Sequence, residues 1–412
     1  MKKAFLFLAA AGCFHITMAQ TPVTVSTGGG NAEQIWYSLL NGEVGAAPLS
    51  EWDLAFELTG LTAGVRVNTA KGLVAYETTV APAEWATLTV PDPEAWTRVD
   101  NDPERWDMGA LNHGNDMDLP EGLNVGWGVY NPINHQMLGN KVYAIEFQDE
   151  TWKKLRINSV INGVFSFTYA NLDGTAEVDA AVNKTAFAGK NFAYWSMTTD
   201  ASMDREPASS SWDLLFTKYT DFVPTPYNVA GVLQNRLVTA LQVNGVPTDD
   251  AAWTTAPFSS QINTLGADWK RYDFEAVSYV IASDTTYFVK DRPGNIWKII
   301  FTGYGGSANG NMSFTKELVS AVGIREETAA ATVLAYPNPA SAGQVQLVLD
   351  LPDGKGLLHV YNGAGTQVLA KDLAGLQGLT RSTIDVSGLA AGVYIMRIES
   401  AKGIATGKLV IK

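Results

Sequence analysis

Along most of this chain, apolar and polar positions change places every second residue. In 152–157, Trp152, Lys154 and Arg156 fall on one face of an extended strand, and Leu155 and Ile157 on the other. The same period of two runs through 344–349 and 357–361. No long apolar stripe at helical spacing follows the N-terminal run. Turn signals separate the strands: Asn162-Gly163 stands just before Val164-Phe165-Ser166-Phe167, and Asp173-Gly174 follows. The pattern predicts an all-β chain of antiparallel sheets joined by long loops.

The strands also recur in order. Trp36-Tyr37-Ser38-Leu39 precedes Trp52-Asp53-Leu54-Ala55-Phe56, and Tyr194-Trp195-Ser196-Met197 precedes Trp212-Asp213-Leu214-Leu215-Phe216. Further on, Lys141-Val142-Tyr143-Ala144-Ile145, Trp152-Lys153-Lys154-Leu155 and Phe165-Ser166-Phe167-Thr168 are matched by Thr286-Tyr287-Phe288-Val289-Lys290, Trp297-Lys298-Ile299-Ile300 and Met312-Ser313-Phe314-Thr315. Landmarks repeated in one order are the mark of a duplication. They divide the body into two repeated antiparallel β modules, 33–185 and 186–320. Gly28-Gly29-Gly30 marks 20–32 as a flexible leader, and 321–333, with Glu326-Glu327-Thr328, reads as a linker. The tail, 334–412, has no Trp and is rich in Gly, Val and Leu; its strand spacing predicts a small Ig-like β-sandwich.

The two ends speak of export. Met1-Lys2-Lys3, an apolar run from Ala4, and Thr17-Met18-Ala19 before Gln20 make a secretory signal peptide over 1–19, cleaved after Ala19. Ala10-Ala11-Gly12-Cys13 offers another reading, a lipobox with Cys13 as the lipidated first residue, although the apolar run continues past it. At the other end, Tyr336-Pro337-Asn338-Pro339, Asn362-Gly363, Gly392-Val393-Tyr394 and the terminal Lys408-Leu409-Val410-Ile411-Lys412 stand in order. These landmarks closely resemble the type A sorting domain of type IX secretion substrates. The resemblance covers the whole tail. It implies recognition of 334–412 by the type IX secretion machinery, removal of the tail, and release or attachment at the outer cell surface after passage through the periplasm.

Composition narrows the partners. Hydrophobic residues make up 46% of the chain, enough for real cores. A net charge of −13 repels phosphate backbones and argues against nucleic acid. No segment beyond the signal reaches transmembrane length. Cys13 is the sole cysteine, so cleavage after Ala19 leaves a mature chain without disulfides or thiolate metal sites.

In the body, the Trp-Asp-Leu-(Ala/Leu)-Phe strands at Trp52 and Trp212, with the Trp-Lys-Lys-Leu-Arg-Ile strand at Trp152, resemble the HmuY family of haem-binding proteins. That resemblance implies tandem all-β modules that take haem from host or neighbouring haem-carrying proteins and hold its iron between two loop-borne His or Met side chains. The candidates lie in module 1: His113 and His135 in loops, with Met108, Met117 and Met137 nearby and Trp106, Trp127 and Tyr130 as flat walls. Module 2 has no His or Met between Trp212 and Trp297, so it reads as a structural or partner-facing copy. His359 reads as a surface residue of a tail strand.

Enzyme motifs are poor: no nucleophile elbow, zinc helix, phosphate loop or dinucleotide fingerprint occurs. The acidic run Asp100, Asp102, Glu104, Asp107, Asp116, Asp118 and Glu121 lacks calcium-loop spacing and reads as solvated loop. The sequence thus points to a secreted or surface-attached HmuY-like binding protein. A cofactor-free structural or adhesive surface protein is the alternative, and a secreted hydrolase of unrecognised type a second one.

Overall fold

In the computed structural model, the described residues are 20–321 and 332–412, apart from positions 61, 120, 121, 223, 342, 352–355, 364, 374, 376, 377, 401 and 402. The signal peptide 1–19, with Cys13, and most of the linker lie outside them. The chain divides into two compact units at residue 321. Both are built of antiparallel strands, as the alternation predicts. Among the described residues, no helix is long and apolar enough to cross a membrane.

The larger unit holds two lobes, each a sandwich of an outer and an inner sheet. In the first lobe the outer sheet runs Val178–Asn183, Val164–Asn171, Trp152–Ile161, Tyr143–Glu146, Val74–Glu77, Thr97–Val99, and the inner sheet Ala201–Met203, Phe192–Ser196, Leu54–Glu57, Val65–Val67. In the second lobe the outer sheet runs Thr21–Ser26, Asn311–Ser320, Ile296–Tyr304, Thr285–Lys290, Thr239–Asn244, and the inner sheet Pro226–Gln234, Leu214–Phe222, Glu33–Ser38, Gly42–Pro48. Matched landmarks therefore occupy matched places. Asn162 (φ 52°) and Gly163 (φ 76°) turn the hairpin as their sequence demands.

The copies do not separate at 185/186. Each inner sheet is completed by the other repeat: Glu33–Ser38 pairs with Leu214–Phe222, and Phe192–Ser196 with Leu54–Glu57. An aspartate fixes each exchange. Asp53 N–H donates to Trp195 O (2.8 Å), and its carboxylate accepts from Met197 N–H (2.7 Å). Asp213 repeats this with Tyr37 O (2.8 Å) and Leu39 N–H (2.7 Å). Nor is 20–32 a flexible leader. Thr21–Ser26 is a strand that closes the second outer sheet against Asn311–Ser320, as Val178–Asn183 closes the first against Val164–Asn171. The glycines lie in the turn that follows.

The central strands of the inner sheets are buried on both faces. Leu54, Phe56, Ala193 and Trp195 face the first core; Ile35, Tyr37, Leu214 and Phe216 face the second. The intervening residues meet at a seam between lobes: Trp36, Trp212, Leu215, Tyr219 and Leu233 on one side, Trp52, Ala55, Phe192 and Tyr194 on the other, with Trp106 against both groups. Hence these strands read as nearly unbroken apolar runs. Trp52 and Trp212 are buried as matched residues, two positions ahead of their strands.

The tail is a sandwich of a three-stranded and a four-stranded sheet around Val345, Leu347, Leu358, Val360, Met396 and Leu409. Asn338, between the two prolines, donates to Lys408 O (2.7 Å) and accepts from Val410 N–H (2.9 Å), tying the opening turn to the last strand. His359, half-buried on its strand, bonds Gln367 (2.8 Å).

At the seam's edge, buried Glu206 accepts from Asn191 N–H (3.1 Å), Phe192 N–H (3.1 Å) and the Tyr194 hydroxyl (3.2 Å). Burial outweighs these donors and pushes its carboxyl up to about 7. A raised carboxyl favours the folded state below its unfolded value, 4.5, and loses that contribution as pH rises towards 7. Thermal unfolding of wild type is therefore expected to show a component, about 3 kcal/mol at most, that declines from pH 4.5 to 7. Glu206→Gln is expected to flatten that component; an unchanged slope in the variant contradicts it.

Candidate functional site

The haem candidates fall in separate places. His113 follows a 3-10 turn, exposed, with Nδ1 3.4 Å from Glu77 Oε2; Lys141 Nζ bonds the same carboxylate (2.9 Å) and His113 O (3.3 Å). His135 sits at the tip of the hairpin Gly128–Asn131/Gln136–Gly139, in the left-handed region (φ 57°), its Nδ1 2.7 Å from the Tyr130 hydroxyl. Val129, Ile133 and Leu138 on the same hairpin are exposed. Met137 points inward from this hairpin into the first core, and Met117 packs partly against that core. Met108 is buried, its sulfur accepting from Asn115 (3.3 Å). Of the expected walls, Trp127 is unavailable: it is fully buried, with its indole N–H on Ala63 O (3.0 Å). Trp106 belongs to the seam, and Tyr130 stays beside His135. The hairpin thus presents one imidazole backed by a phenol, while Met108 and Met137 are committed to packing.

The acidic loops do not gather. Asp107 and Asp118 both pair with Arg105, and Asp100 pairs with Arg98. Among the described residues, no group of three or more His, Cys, Asp or Glu comes together as a metal site.

What the sequence reading missed lies between the lobes. A cleft of about 720 Å³ opens where the loop 104–107 and turn 189–191 of the first lobe face the turn 235–239, Ile262 and Arg292 of the second. Its frame is built from buried polar groups. Arg66, from the strand Val65–Val67, donates to the carbonyls of Asp102 (3.1 Å), Arg105 (2.6 Å) and Met108 (3.3 Å), which fixes the loop carrying Trp106. Burial lowers its guanidinium to about 10, so it stays charged at neutral pH. Gly109 lets this loop reach the strand: a Cβ there would lie 2.0 Å from Val65 O. Trp106 donates to Gln234 O (2.8 Å), Ile262 N–H to Glu104 O (2.9 Å), and Asn191 to Asn235 Oδ1 (2.7 Å), so the lobes are joined around the opening.

Four cations and two carboxylates line it: Arg105, Lys190, Arg236 and Arg292, with Glu104 and Asp107, the last paired with Arg105. Arg236 pairs with buried Glu57 (2.6 Å), and Lys190 with Asp204. The Arg292 guanidinium donates to the Ser209 hydroxyl at 3.5 Å and, among the described residues, is in no ion pair. At the rim stands Leu237, 76% exposed and in the left-handed region at φ 63°. In the other repeat the same turn, between Asn68 and Leu73, uses Gly72 (φ 95°). A branched side chain costs of order 1 kcal/mol or more where glycine costs nothing.

Comparison with known proteins bears on the tail. Residues 334–412 match the secretion system C-terminal sorting domain family. The tail is therefore a type IX sorting domain that engages the secretion machinery, and the chain is exported to the outer surface or beyond. The match leaves the body outside it. No curated protein matches the chain. Among solved structures, the chain is similar to a biofilm-associated protein BSP domain (10% identity, TM-score 0.16, covering 97% of this chain and 67% of that one). It is similar also to the four N-terminal Ig domains of Dscam1 isoform 6.44 (9% identity, TM-score 0.14, covering 96% and 99%). Scores this low carry no fold or functional kinship.

Residues 334–412 fused to a periplasmic reporter are expected to send it out of cells that have a type IX system. The check is reporter activity in the medium or on the surface. Retention of the fusion in the periplasm is the contrary result.

Proposed function

We propose that the exported protein is a binding protein that takes an anionic, partly apolar ligand into the cleft between its lobes. The observation that carries this reading is Leu237, held exposed in a strained conformation beside a cluster of cations, on a chain whose net charge is −13. Strain kept at a solvent-exposed position, where the sister turn uses glycine, points to selection for contact rather than for stability. Clefts between lobes are common ligand sites. Arg292 supplies the charge for the anion, while Leu237 and the indole of Trp106 supply apolar contact.

The test uses 1-anilinonaphthalene-8-sulfonate, an anion with an aromatic body, titrated into the full chain. Arg292→Ala is expected to weaken saturable binding about tenfold, near 1.4 kcal/mol. Leu237→Gly is expected to weaken it too while stabilising the fold by about 1 kcal/mol. Unchanged affinity in both variants excludes the cleft as the site.

A second reading, haem capture by the first lobe of an HmuY-like body, is supported by one contact: the exposed His135 imidazole hydrogen-bonded to Tyr130 on a hairpin with apolar flanks. His135 would give one axial nitrogen, with Nδ1 held by the phenol and Nε2 directed to the iron; haem would supply the iron that this nitrogen binds. Adding haemin to the full chain is expected, on this reading, to shift the Soret band in wild type and His113→Ala but not in His135→Ala. A shift that survives in His135→Ala removes the assignment.

A further inference from the structure

Between Ile262 and Arg292, the second lobe carries a separate hairpin, Lys270–Asp273 with Ser278–Ile281, that pairs with no other sheet among the described residues. Its outward side is aromatic. Tyr272 and Tyr279 face each other across the hairpin, edge to face at 5.1 Å, each 39% exposed; Phe274 meets Tyr272 at 5.1 Å and is 85% exposed. A soluble chain gains nothing by leaving such rings in water. They are not loose. Tyr279 packs edge-on against Tyr304 (4.7 Å), Tyr304 against Trp269 (5.9 Å), and Trp269 stacks flat on Phe301 in the core (4.0 Å, 9°). Behind the hairpin, the Lys270 ammonium lies over the Trp269 and Tyr304 rings (4.3 and 4.8 Å) and donates to Ala230 O (2.5 Å). The platform is thus wired rigidly to the core while its outer rings stay open.

Its chemistry narrows the occupant. The hydroxyls of Tyr272 and Tyr279 bond no other group among the described residues, so both donors and acceptors are available. Arg271 and Asp273 lie 3.7 Å apart on the hairpin, exposed Glu275 stands in its turn, and Lys270 is withdrawn beneath the rings. Among the described residues the hairpin presents no unpaired cation, and the chain as a whole is acidic, so phosphate- or sulfate-bearing polymers gain no attraction here. Open aromatic rings set edge to face, with neutral hydroxyls at their rim, match a pyranose, which has an apolar C–H face and an equatorial ring of hydroxyls. An exported protein also works where neutral polysaccharides are met. We infer that the Tyr272–Phe274–Tyr279 platform is a carbohydrate-binding surface for a neutral polysaccharide, independent of the interlobe cleft.

The test is affinity electrophoresis of the full chain through gels containing laminarin, dextran or galactomannan, with heparin as the polyanion. At least one neutral polymer is expected to retard the protein. Tyr272→Ala/Phe274→Ala, two exposed positions whose loss leaves the core intact, is expected to weaken that retardation at least tenfold with an unchanged melting temperature. Arg292→Ala is expected to leave it unchanged, which separates this surface from the cleft. Gly306 gives a second handle: a Cβ there would press on the Tyr279 ring at 3.3 Å, so Gly306→Ala is expected to weaken binding without removing any ring. No retardation by any of the three neutral polymers, retardation by heparin alone, or full retardation of the double variant each overturns the inference.

Discussion

Everything in the body depends on two inner sheets whose central strands have no wet face. Each is pressed on one side by its own lobe's core and on the other by its sister sheet, so every residue of Glu33–Ser38, Leu54–Glu57 and Phe192–Ser196 must suit an interior. Several polar groups admitted there are bonded: Gln34 joins Thr217 within its own sheet (3.1 Å) and Trp52 across the seam (3.2 Å), and Thr220 joins Thr69 (2.7 Å), while the Trp212 indole N–H has no partner among the described residues. An unpaired amide at that depth would cost several kcal/mol. The seam therefore sets where the lobes sit, and through Trp106, Asn191 and Asn235 it also sets the width of the cleft.

The duplication was plain in the sequence because core strands keep their aromatic landmarks. The Trp-Asp pairs at Trp52 and Trp212 marked matched places, and the structure puts them there. The tail was more legible still, since its Pro, Gly and terminal strand landmarks are fixed by local geometry. The exchange of strands was not legible. Whether Trp36-Tyr37-Ser38 pairs with the Asp53 strand or the Asp213 strand is a matter of long-range register, and the two partners are near-identical in type. Thr21–Ser26 was hidden for a different reason: three glycines after it suggested slack, whereas they serve a tight turn with Gly28 and Gly30 at positive φ.

Site residues were harder, because chemical type does not reveal burial. Met108 and Met137 had the right sulfur and Trp127 the right ring, yet packing claims all three. The cleft had a faint signal that only alignment of the copies exposes. The Asn68 turn carries Lys71, which neutralises Asp53 (2.6 Å), and closes on Gly72. The Asn235 turn is shorter, has no lysine, and places Arg236 and Leu237 there instead. Asp213 is left with the Leu39 N–H and the Ser38 hydroxyl, and burial lifts it to about 6. One copy of the turn has been kept for stability and the other given over to exposed chemistry.

The strand exchange also has a consequence for how the chain is made. The residues from Trp52 to Met203 form the first lobe as one continuous stretch, so its contacts close early and locally. The second lobe needs Thr21 beside Lys316, a separation of almost the whole body. Its N-terminal strands must stay open until the last strand has emerged, and loops of that length close slowly. In an exported chain the second lobe is therefore completed only after its final strand, which stands just ahead of the sorting domain, has emerged.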